Sequence, residues 1–165
     1  MLIKKRHPLS SKDLKDVLDE VSKVAPEMLK HIDRKKSVEL AELANGEKIY
    51  LQDGKPILVE HDGKVMPALS TAPAVLNSIP KAVVDMGAVP FVAKGADIMA
   101  PGIRSVTEGV KVGDVVLVVD EKYGKGLAVG FLLMERDEIL KKTKGKAVKN
   151  VHHVGDEIWN GMQSL

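Results

Sequence analysis

The spacing of apolar residues predicts an amphipathic helix near the start of the chain. Ser10 and Asp13 resemble the start of a capping box, and apolar residues then recur at helical intervals until Pro26 ends the pattern. These residues are Leu14, Val17, Leu18, Val21 and Ala25. We therefore expect a helix of about four turns that packs its apolar face against a core.

From Val38 onward, the apolar residues follow the shorter period of strands. Asn-Gly and Asp-Gly pairs, which favour tight hairpin turns, separate four short segments of this kind. The segments are residues 38–43, 48–52, 57–61 and 65–67, and the pairs begin at Asn45, Asp53 and Asp62. The pattern predicts an antiparallel meander of three or four strands that carries the helix. A short helix over 70–79, closed by a proline, ends a first domain predicted to span residues 1–79.

The second half contains two apolar segments, residues 112–120 and 127–134, that are typical of strands buried on both faces. A short helix over 135–142 has its acids first and its lysines last, and residues 147–154 alternate as a final strand. Short, unequal strands with small helices between them favour a pseudo-barrel over residues 80–165. The predicted fold class is therefore α+β, with an N-terminal helix and antiparallel hairpins followed by a pseudo-barrel.

Glycines and prolines bracket the apolar runs of the segment Asp85–Ile103, which leaves its backbone exposed. We predict a short helix over 87–94, capped by the first aspartate and ended by Gly95 in the left-handed conformation. An extended run over 96–99 then leads into a type II turn at Ala100–Ile103, whose glycine would take a positive φ.

Two interpretations of this segment follow from its geometry. Small residues allow a nucleic-acid backbone or strand end to approach main-chain N–H groups, and Lys94 and Arg104 stand at the two ends. The alternative is an ordinary helix-to-strand connection that needs its glycines only for the turn. Geometry by itself favours the second interpretation.

Composition bounds the class of protein without naming a ligand. The 165 residues are 44% hydrophobic, which is ample for a packed core, and the net charge of +2 is too small to indicate a nucleic-acid partner by itself. The lysines are unevenly placed, however. One basic cluster precedes Asp13, and a second contains Lys141, Lys142, Lys144, Lys146 and Lys149. Either cluster forms a basic face if the fold brings it beside Asp85–Ile103. The alternative is that both clusters are ordinary charged side chains exposed to solvent.

The sequence also bears on location. Cysteine is absent, so disulfides and thiol chemistry are excluded. No stretch approaches the roughly 20 apolar residues that span a bilayer, and residues 1–8 lack the apolar core of a secretory signal. We expect a cytoplasmic protein without a membrane partner.

No catalytic or metal-binding set stands out. His152 and His153 are adjacent, so on a strand they point to opposite faces, and the other histidines are scattered. Neither a phosphate-binding loop nor a dinucleotide fingerprint surrounds Gly95. We expect no enzyme activity, no metal and no cofactor. Aromatic residues form 3% of the chain, so RNA recognition by paired stacking rings is not expected either.

Several motifs together resemble a PUA domain, the RNA-binding module named after pseudouridine synthase and archaeosine transglycosylase. They are Val84-Asp85-x-Gly87-Ala88, the run from Phe91 to Ile103, Gly113-Asp114, Ala128-Val129-Gly130 and His152-x-x-x-Asp156-x-x-Trp159. The resemblance covers about residues 81–162. The first half resembles the domain that precedes PUA in the malignant T-cell-amplified sequence family, which indicates an archaeal-type member with a pre-PUA domain over 1–79 and a PUA domain over 80–165.

This resemblance implies a non-enzymatic RNA-binding protein that acts in translation, with tRNA or small-subunit ribosomal RNA as its ligand. It implies roles in initiation, reinitiation or recycling, together with a partner like density-regulated protein. Two alternatives remain, a protein-interaction adaptor and an accessory RNA-binding subunit of an RNA-modifying enzyme. The candidate RNA-binding residues are Gly87, Ala88, Lys94, Gly95, Ala96, Asp97, Ile98, Met99, Ala100, Pro101, Gly102, Arg104, Lys149 and His152.

Overall fold

The computed structural model describes residues 3–165, and these divide into two units. The first unit reaches Ser78 and takes in Glu157–Leu165, whereas the second spans Ile79–Asp156. Met1 and Leu2, which belong to the predicted first domain, lie outside the described residues.

An antiparallel sheet forms the first unit, and its five strands are paired in chain order. They are β1 Ile3–Pro8, β2 Glu39–Leu43, β3 Lys48–Gln52, β4 Lys55–His61 and β5 Lys64–Pro67. The turn after β3 has φ of +53° at Asp53 and +75° at Gly54, and the turn after β4 is built in the same way. Such left-handed pairs suit two-residue hairpins, which confirms the predicted meander.

Strand β1 is an element that the hydrophobic pattern does not predict. It lies at the edge of the sheet, five of its six residues are exposed, and three of them are Lys or Arg. Lys5 lies 3.4 Å from Glu42, and Arg6 lies 3.0 Å from Glu39, so two residues of the N-terminal basic cluster pair with acids of β2. A charged edge strand of this kind has no apolar alternation for sequence analysis to detect.

The predicted first helix is confirmed as α1, Ser11–Val24. The Asp13 N–H donates to the Ser10 hydroxyl at 3.1 Å, as expected for the cap, and Val21 is fully buried. A 3-10 helix over Pro26–His31 follows it. The second helix, α2, covers only Pro73–Leu76 and is shorter than the prediction, since Thr71 already ends a separate turn that begins at Ala68.

A six-stranded sheet forms the second unit as a nearly closed pseudo-barrel, which confirms the predicted α+β class. Its strands are β6 Lys81–Val84, β7 Ile98–Met99, β8 Ile103–Val106, β9 Val115–Asp120, β10 Gly126–Leu132 and β11 Lys146–His153, with short helices α3 Val89–Val92 and α4 Arg136–Leu140. Their order is β7-β11-β10-β9-β6-β8. The two edge strands, β7 and β8, are consecutive in the chain and are separated only by the 3-10 turn Ala100–Gly102. Because both edges meet at this turn, the sheet curls toward closure.

The core of the second unit lies inside this curled sheet. Every residue of β9 is buried, as predicted for a strand covered on both faces. Val116 and Val118 of β9 belong to one cluster of buried residues. This cluster also includes Leu132 of β10, Val148 of β11 and Ile139 of α4.

The last helix, α5 Glu157–Gln163, belongs to the first unit, although the prediction for the second domain extended to residue 165. A Cβ added to Gly161 would lie 2.9 Å from Leu43 of β2, and the Ser70 hydroxyl lies 3.4 Å from the Met162 sulfur. Packing of α5 on β2 is a long-range contact, so the chain's order does not reveal it.

Within residues 3–165, no helix has the length and apolar character that crossing a membrane requires.

Candidate nucleic-acid interface

The segment Asp85–Ile103 connects β6 to β8 and begins much as predicted. The Asp85 carboxylate accepts the Ala88 N–H at 2.8 Å, which caps the turn that leads into α3. Helix α3 is one turn long rather than spanning 87–94. Gly95 has a φ of +93°, so it ends the helical region in the left-handed conformation that the sequence predicts.

The predicted type II turn at Ala100–Ile103 is wrong. Residues Ala100–Gly102 form a single 3-10 turn in which the Ile103 N–H donates to the Ala100 carbonyl, and Gly102 has no positive φ. The fixed φ of a proline suits both geometries, so the dipeptide does not distinguish them. A close approach explains the glycine instead. A Cβ at Gly102 would lie 3.3 Å from the Cβ of Ala88. The carbonyl of Gly102 also accepts the Asp85 N–H at 2.9 Å.

Together, these turns enclose a cleft of about 350 Å³ that lies wholly within the segment. Its walls are mainly apolar, and Phe91 and Met99 are 66% and 46% exposed beside it. The lining residues are Asp85, Gly87, Ala88, Phe91, Val92, Asp97, Ile98, Met99, Pro101 and Gly102. Most of the predicted loop residues therefore surround one cavity.

Phe91 is a lining residue that the sequence analysis omits from the candidate site. Val92 of the same turn is 2% exposed and fills the core, so the neighbouring ring is directed toward the cleft. A run of apolar residues in a helix of one turn has too few positions to show which residue faces inward. The available signal was the presence of two adjacent large apolar residues, only one of which such a short helix can bury.

Asp97 lines the cleft and also pairs with two lysines of the second basic cluster. Its carboxylate lies 3.2 Å from Lys146 Nζ and 3.6 Å from Lys149 Nζ, and it accepts the Asn150 N–H at 3.0 Å. Burial by itself would raise the pKa of the Asp97 carboxyl, but the Asn150 N–H and the two lysines outweigh it and hold that pKa below its ordinary value. An acid that holds two lysines beside a cleft positions them, whereas its own charge would repel phosphate.

Asn150 of β11 fixes the shape of the loop. The residue is 9% exposed, and its side-chain amide nitrogen donates to the carbonyls of Val92 at 3.2 Å and Ala96 at 3.0 Å. The helical turn, the extended run and the strand are thus tied together through one side chain. Asn150 is absent from the site predicted from the sequence, although a polar residue on the buried face of an alternating strand is a usable signal.

The two adjacent histidines take opposite faces of β11, as predicted, and His152 is the one that faces the core. It has no exposed surface, and its Nδ1 lies 2.9 Å from an Asp156 carboxylate oxygen. His153 faces the loop, since a Cβ added to Gly95 would lie 3.0 Å from its Nε2. Of the two histidines, His153 is therefore the one beside the loop, whereas His152, the one predicted from the sequence, is buried.

The remaining candidates differ in what they expose. Ala100 is fully buried and Ile98 is 2% exposed, so these two residues present almost no surface to a ligand. Lys94 and Ala96 are exposed on the loop. Arg104 is exposed as well, and its Nε lies 3.3 Å from Glu121. Among residues 3–165, no three His, Asp or Glu side chains are grouped so as to hold a metal ion.

Comparison with known proteins assigns a family to each half. Residues 80–154 match the PUA domain, and residues 5–71 match a domain of unknown function, DUF1947. An uncharacterized protein of Methanocaldococcus jannaschii is 43% identical over 163 residues, which are 97% of this chain and 98% of that one. A crystal structure of a hypothetical protein from Pyrococcus horikoshii has a TM-score of 0.82 and 37% identity, covering 96% of this chain and 99% of that chain.

Eukaryotic relatives match over most of the chain too. Translation machinery-associated protein 20 of Saccharomyces cerevisiae is 30% identical over 153 residues, covering 89% of this chain and 79% of the relative. A malignant T-cell-amplified sequence 1 homolog of Drosophila melanogaster is 30% identical over 160 residues, covering 92% and 88%. With this identity across both halves, the chain belongs to the PUA-domain family of the malignant T-cell-amplified sequence proteins and translation machinery-associated protein 20, as an archaeal-type member.

Proposed function

We propose that this protein binds RNA through the cleft of Asp85–Gly102, acts in translation and has no catalytic activity of its own. The cleft carries the proposal, because it joins apolar walls to positive charge. Its walls suit the flat face of an unpaired base, and the exposed Phe91 ring offers a stacking surface. A volume of about 350 Å³ is at the small end of ligand sites and fits one nucleotide better than a duplex.

Positive charge stands next to this cleft. Lys146 and Lys149 of β11 reach Asp97 in its wall, and both lysines remain more than half exposed, at 63% and 57%. Their ammonium groups are thereby oriented without being removed from solvent, which suits contact with a phosphate that follows the bound base. His152 is left out of the proposed surface because it is fully buried, and Phe91 is added to it.

The name of one relative supports the setting of the proposal in translation. One relative is named as associated with the translation machinery, and we propose the same setting, in the cytoplasm, with tRNA or small-subunit ribosomal RNA as the ligand. We further propose a partner resembling density-regulated protein. Crosslinking in cells, followed by sequencing of the bound RNA and identification of co-purifying proteins, distinguishes these ligands and partners.

Filter binding of bulk tRNA over a salt series tests the RNA surface. We expect Phe91→Ala to weaken binding by roughly 5- to 100-fold through lost stacking. Lys149→Glu should weaken binding and lower the salt slope by about one unit. Lys12→Glu makes the same charge change in α1 and serves as the matched control. Negligible affinity of the wild-type protein at low salt, or equal binding by all three variants, would contradict the proposal.

A further inference from the structure

The turn between β9 and β10 follows the end of β9, and the cleft segment follows the end of the neighbouring parallel strand β6, so both start at the same end of these two strands. Strand β9 runs parallel to β6, with Asp120 paired to Val84, and the Glu121 N–H donates to the Val84 carbonyl at 2.9 Å. The chain enters the cleft segment at the next residue, Asp85. Arg104, just beyond that segment, lies 3.3 Å from Glu121. The turn Glu121–Lys125 is therefore joined to both ends of the segment.

This turn is held in one conformation by a buried carboxylate. Asp120 is 4% exposed, and its side chain accepts the backbone N–H groups of Lys122 at 3.0 Å, Lys125 at 3.0 Å and Tyr123. Gly124 closes the turn with a φ of +65°, and its N–H donates to the Asp120 carbonyl. These N–H donors, the one from Tyr123 most of all, hold the pKa of Asp120 below its ordinary value.

At the tip of this rigid turn stands Tyr123, which is 73% exposed, more than Phe91 at the cleft. The Lys122 Nζ lies 5.2 Å from the ring centroid, and Lys125 is exposed on the same turn. The exposed acid of the turn, Glu121, is paired with Arg104. The turn thus presents an aromatic ring with two lysines on a backbone that needs no ordering when a ligand binds.

We propose that the turn Glu121–Lys125 is a second RNA-contact site, where Tyr123 stacks on an unpaired base and Lys122 and Lys125 contact the flanking phosphates of a strand that continues from the cleft. This inference rests on the proposed function and extends it from one nucleotide to a longer single-stranded footprint. Aromatic stacking combined with lysine contacts is the chemistry by which proteins hold single strands without reading sequence. The paired Arg104 bridges the two sites along the path of the strand.

Fluorescence anisotropy with labelled oligoadenylates of two lengths, a trinucleotide and a dodecanucleotide, tests the second site. The trinucleotide is short enough to occupy the cleft alone, whereas the dodecanucleotide can reach the turn. We expect Tyr123→Ala to weaken binding of the dodecanucleotide by roughly 5- to 100-fold and to leave trinucleotide binding unchanged. Tyr123→Trp should keep the affinity, and its fluorescence should be quenched by the dodecanucleotide beyond the baseline of wild-type Trp159.

Two further variants separate the possible failures. Val112→Ala is the matched control, since Val112 is 51% exposed and lies before the opposite end of β9. Phe91→Ala should weaken both lengths. If wild-type protein binds neither length, the proposed function fails. If it binds both lengths and Tyr123→Ala behaves as Val112→Ala, only the second site is overturned. Equal weakening of both lengths by Tyr123→Ala, or a fall in its melting temperature, also overturns a separate site at the turn.

Discussion

Asp97 links the cleft to the lysines of β11, and this single residue illustrates how an acid contributes to a surface proposed to bind an anion. Its side chain is 12% exposed and contacts Lys146, Lys149 and the Asn150 N–H. The sequence marked Asp97 as an RNA-contacting residue because it lies within the loop motif. Its contacts favour a role in orienting the two ammonium groups and in tying the loop to the strand.

Substitution of Asp97 by Asn should make the protein less stable in a manner that depends on pH. A carboxyl whose pKa is lowered by folding stabilises the folded state above its ordinary pKa, and this contribution is lost as pH falls through the lowered value. We expect Asp97→Asn to cost about 1 kcal/mol near pH 7, and the difference from wild type to shrink below about pH 4. Denaturant unfolding at several pH values measures it.

Asp62→Asn is the control for Asp97→Asn, because Asp62 lies in a hairpin turn with a φ of +52°, which asparagine also adopts. Its effect on the free energy of unfolding should be small at every pH. A stability difference for Asp97→Asn that stays constant from neutral to acid pH would contradict the ion-pair role.

Among the secondary-structure elements, the pairing of β10 with β11 positions the side chains beside the cleft, since β11 supplies Asn150, Lys146 and Lys149. The register between these strands shifts at Val129 and Gly130, where Val129 is paired with His152 and Gly130 with Asn150. Val151 is the extra residue of this bulge. On this strand Lys149 is exposed, whereas Asn150 and His152 are buried.

Gly130 permits this close strand pairing. A Cβ at this position would lie 1.6 Å from the Lys149 carbonyl oxygen, so the backbone of β11 would have to move. We expect Gly130→Ala to lower the free energy of unfolding by about 3 kcal/mol or more, which places it among the severe single substitutions. Hydrogen exchange should show lost protection along β10 and β11, and RNA binding should fall with it.

A glycine in the first unit provides the comparison for Gly130→Ala. Gly54 has a φ of +75° and no atom within 4 Å of an added Cβ, so Gly54→Ala should cost only about 1 kcal/mol from backbone strain. Equal losses of stability for the two variants would show that β11 accommodates the methyl group without moving.

At the scale of the whole molecule, the chain's two units are not two consecutive stretches of sequence. The first unit includes both the N-terminal residues and α5, whereas Ile79–Asp156 forms the second unit between them. Ile158 and Met162 of α5 are 2% and 6% exposed, so the helix contributes buried apolar surface although it lies at the far end of the sequence.

Removal of residues 157–165 should therefore destabilise the first unit, although the second unit is the one that directly precedes these residues in the chain. The loss of two large buried side chains costs about 1.5–3 kcal/mol each. Hydrogen exchange followed by mass spectrometry should show faster exchange in β2 and β3 and unchanged exchange in β9 and β10. Removal of only Ser164 and Leu165 is the control. Faster exchange confined to the second unit would show that α5 packs there instead.

Those features that depend on neighbouring residues could be predicted from the sequence. Caps, hairpin turns and alternation act over a few positions, so they indicated α1, the meander, β9 and the left-handed Gly95 before any contact was known. The motifs of the PUA resemblance added the family and the loop. Each of these signals is local or is carried by a pattern of residue types along the chain.

The side chains that reach the cleft, in contrast, are selected by contacts between distant parts of the chain. Asn150 and Val92 are 58 residues apart, yet their contact shapes the loop, and β2 receives α5 from the other end of the chain. Packing between distant segments decides four features of this kind. They are the exposure of Phe91, the burial of His152, the 3-10 turn at Ala100–Gly102 and the inclusion of α5 in the first unit. Local preference leaves such alternatives nearly equal in free energy, and long-range burial and hydrogen bonding select one of them.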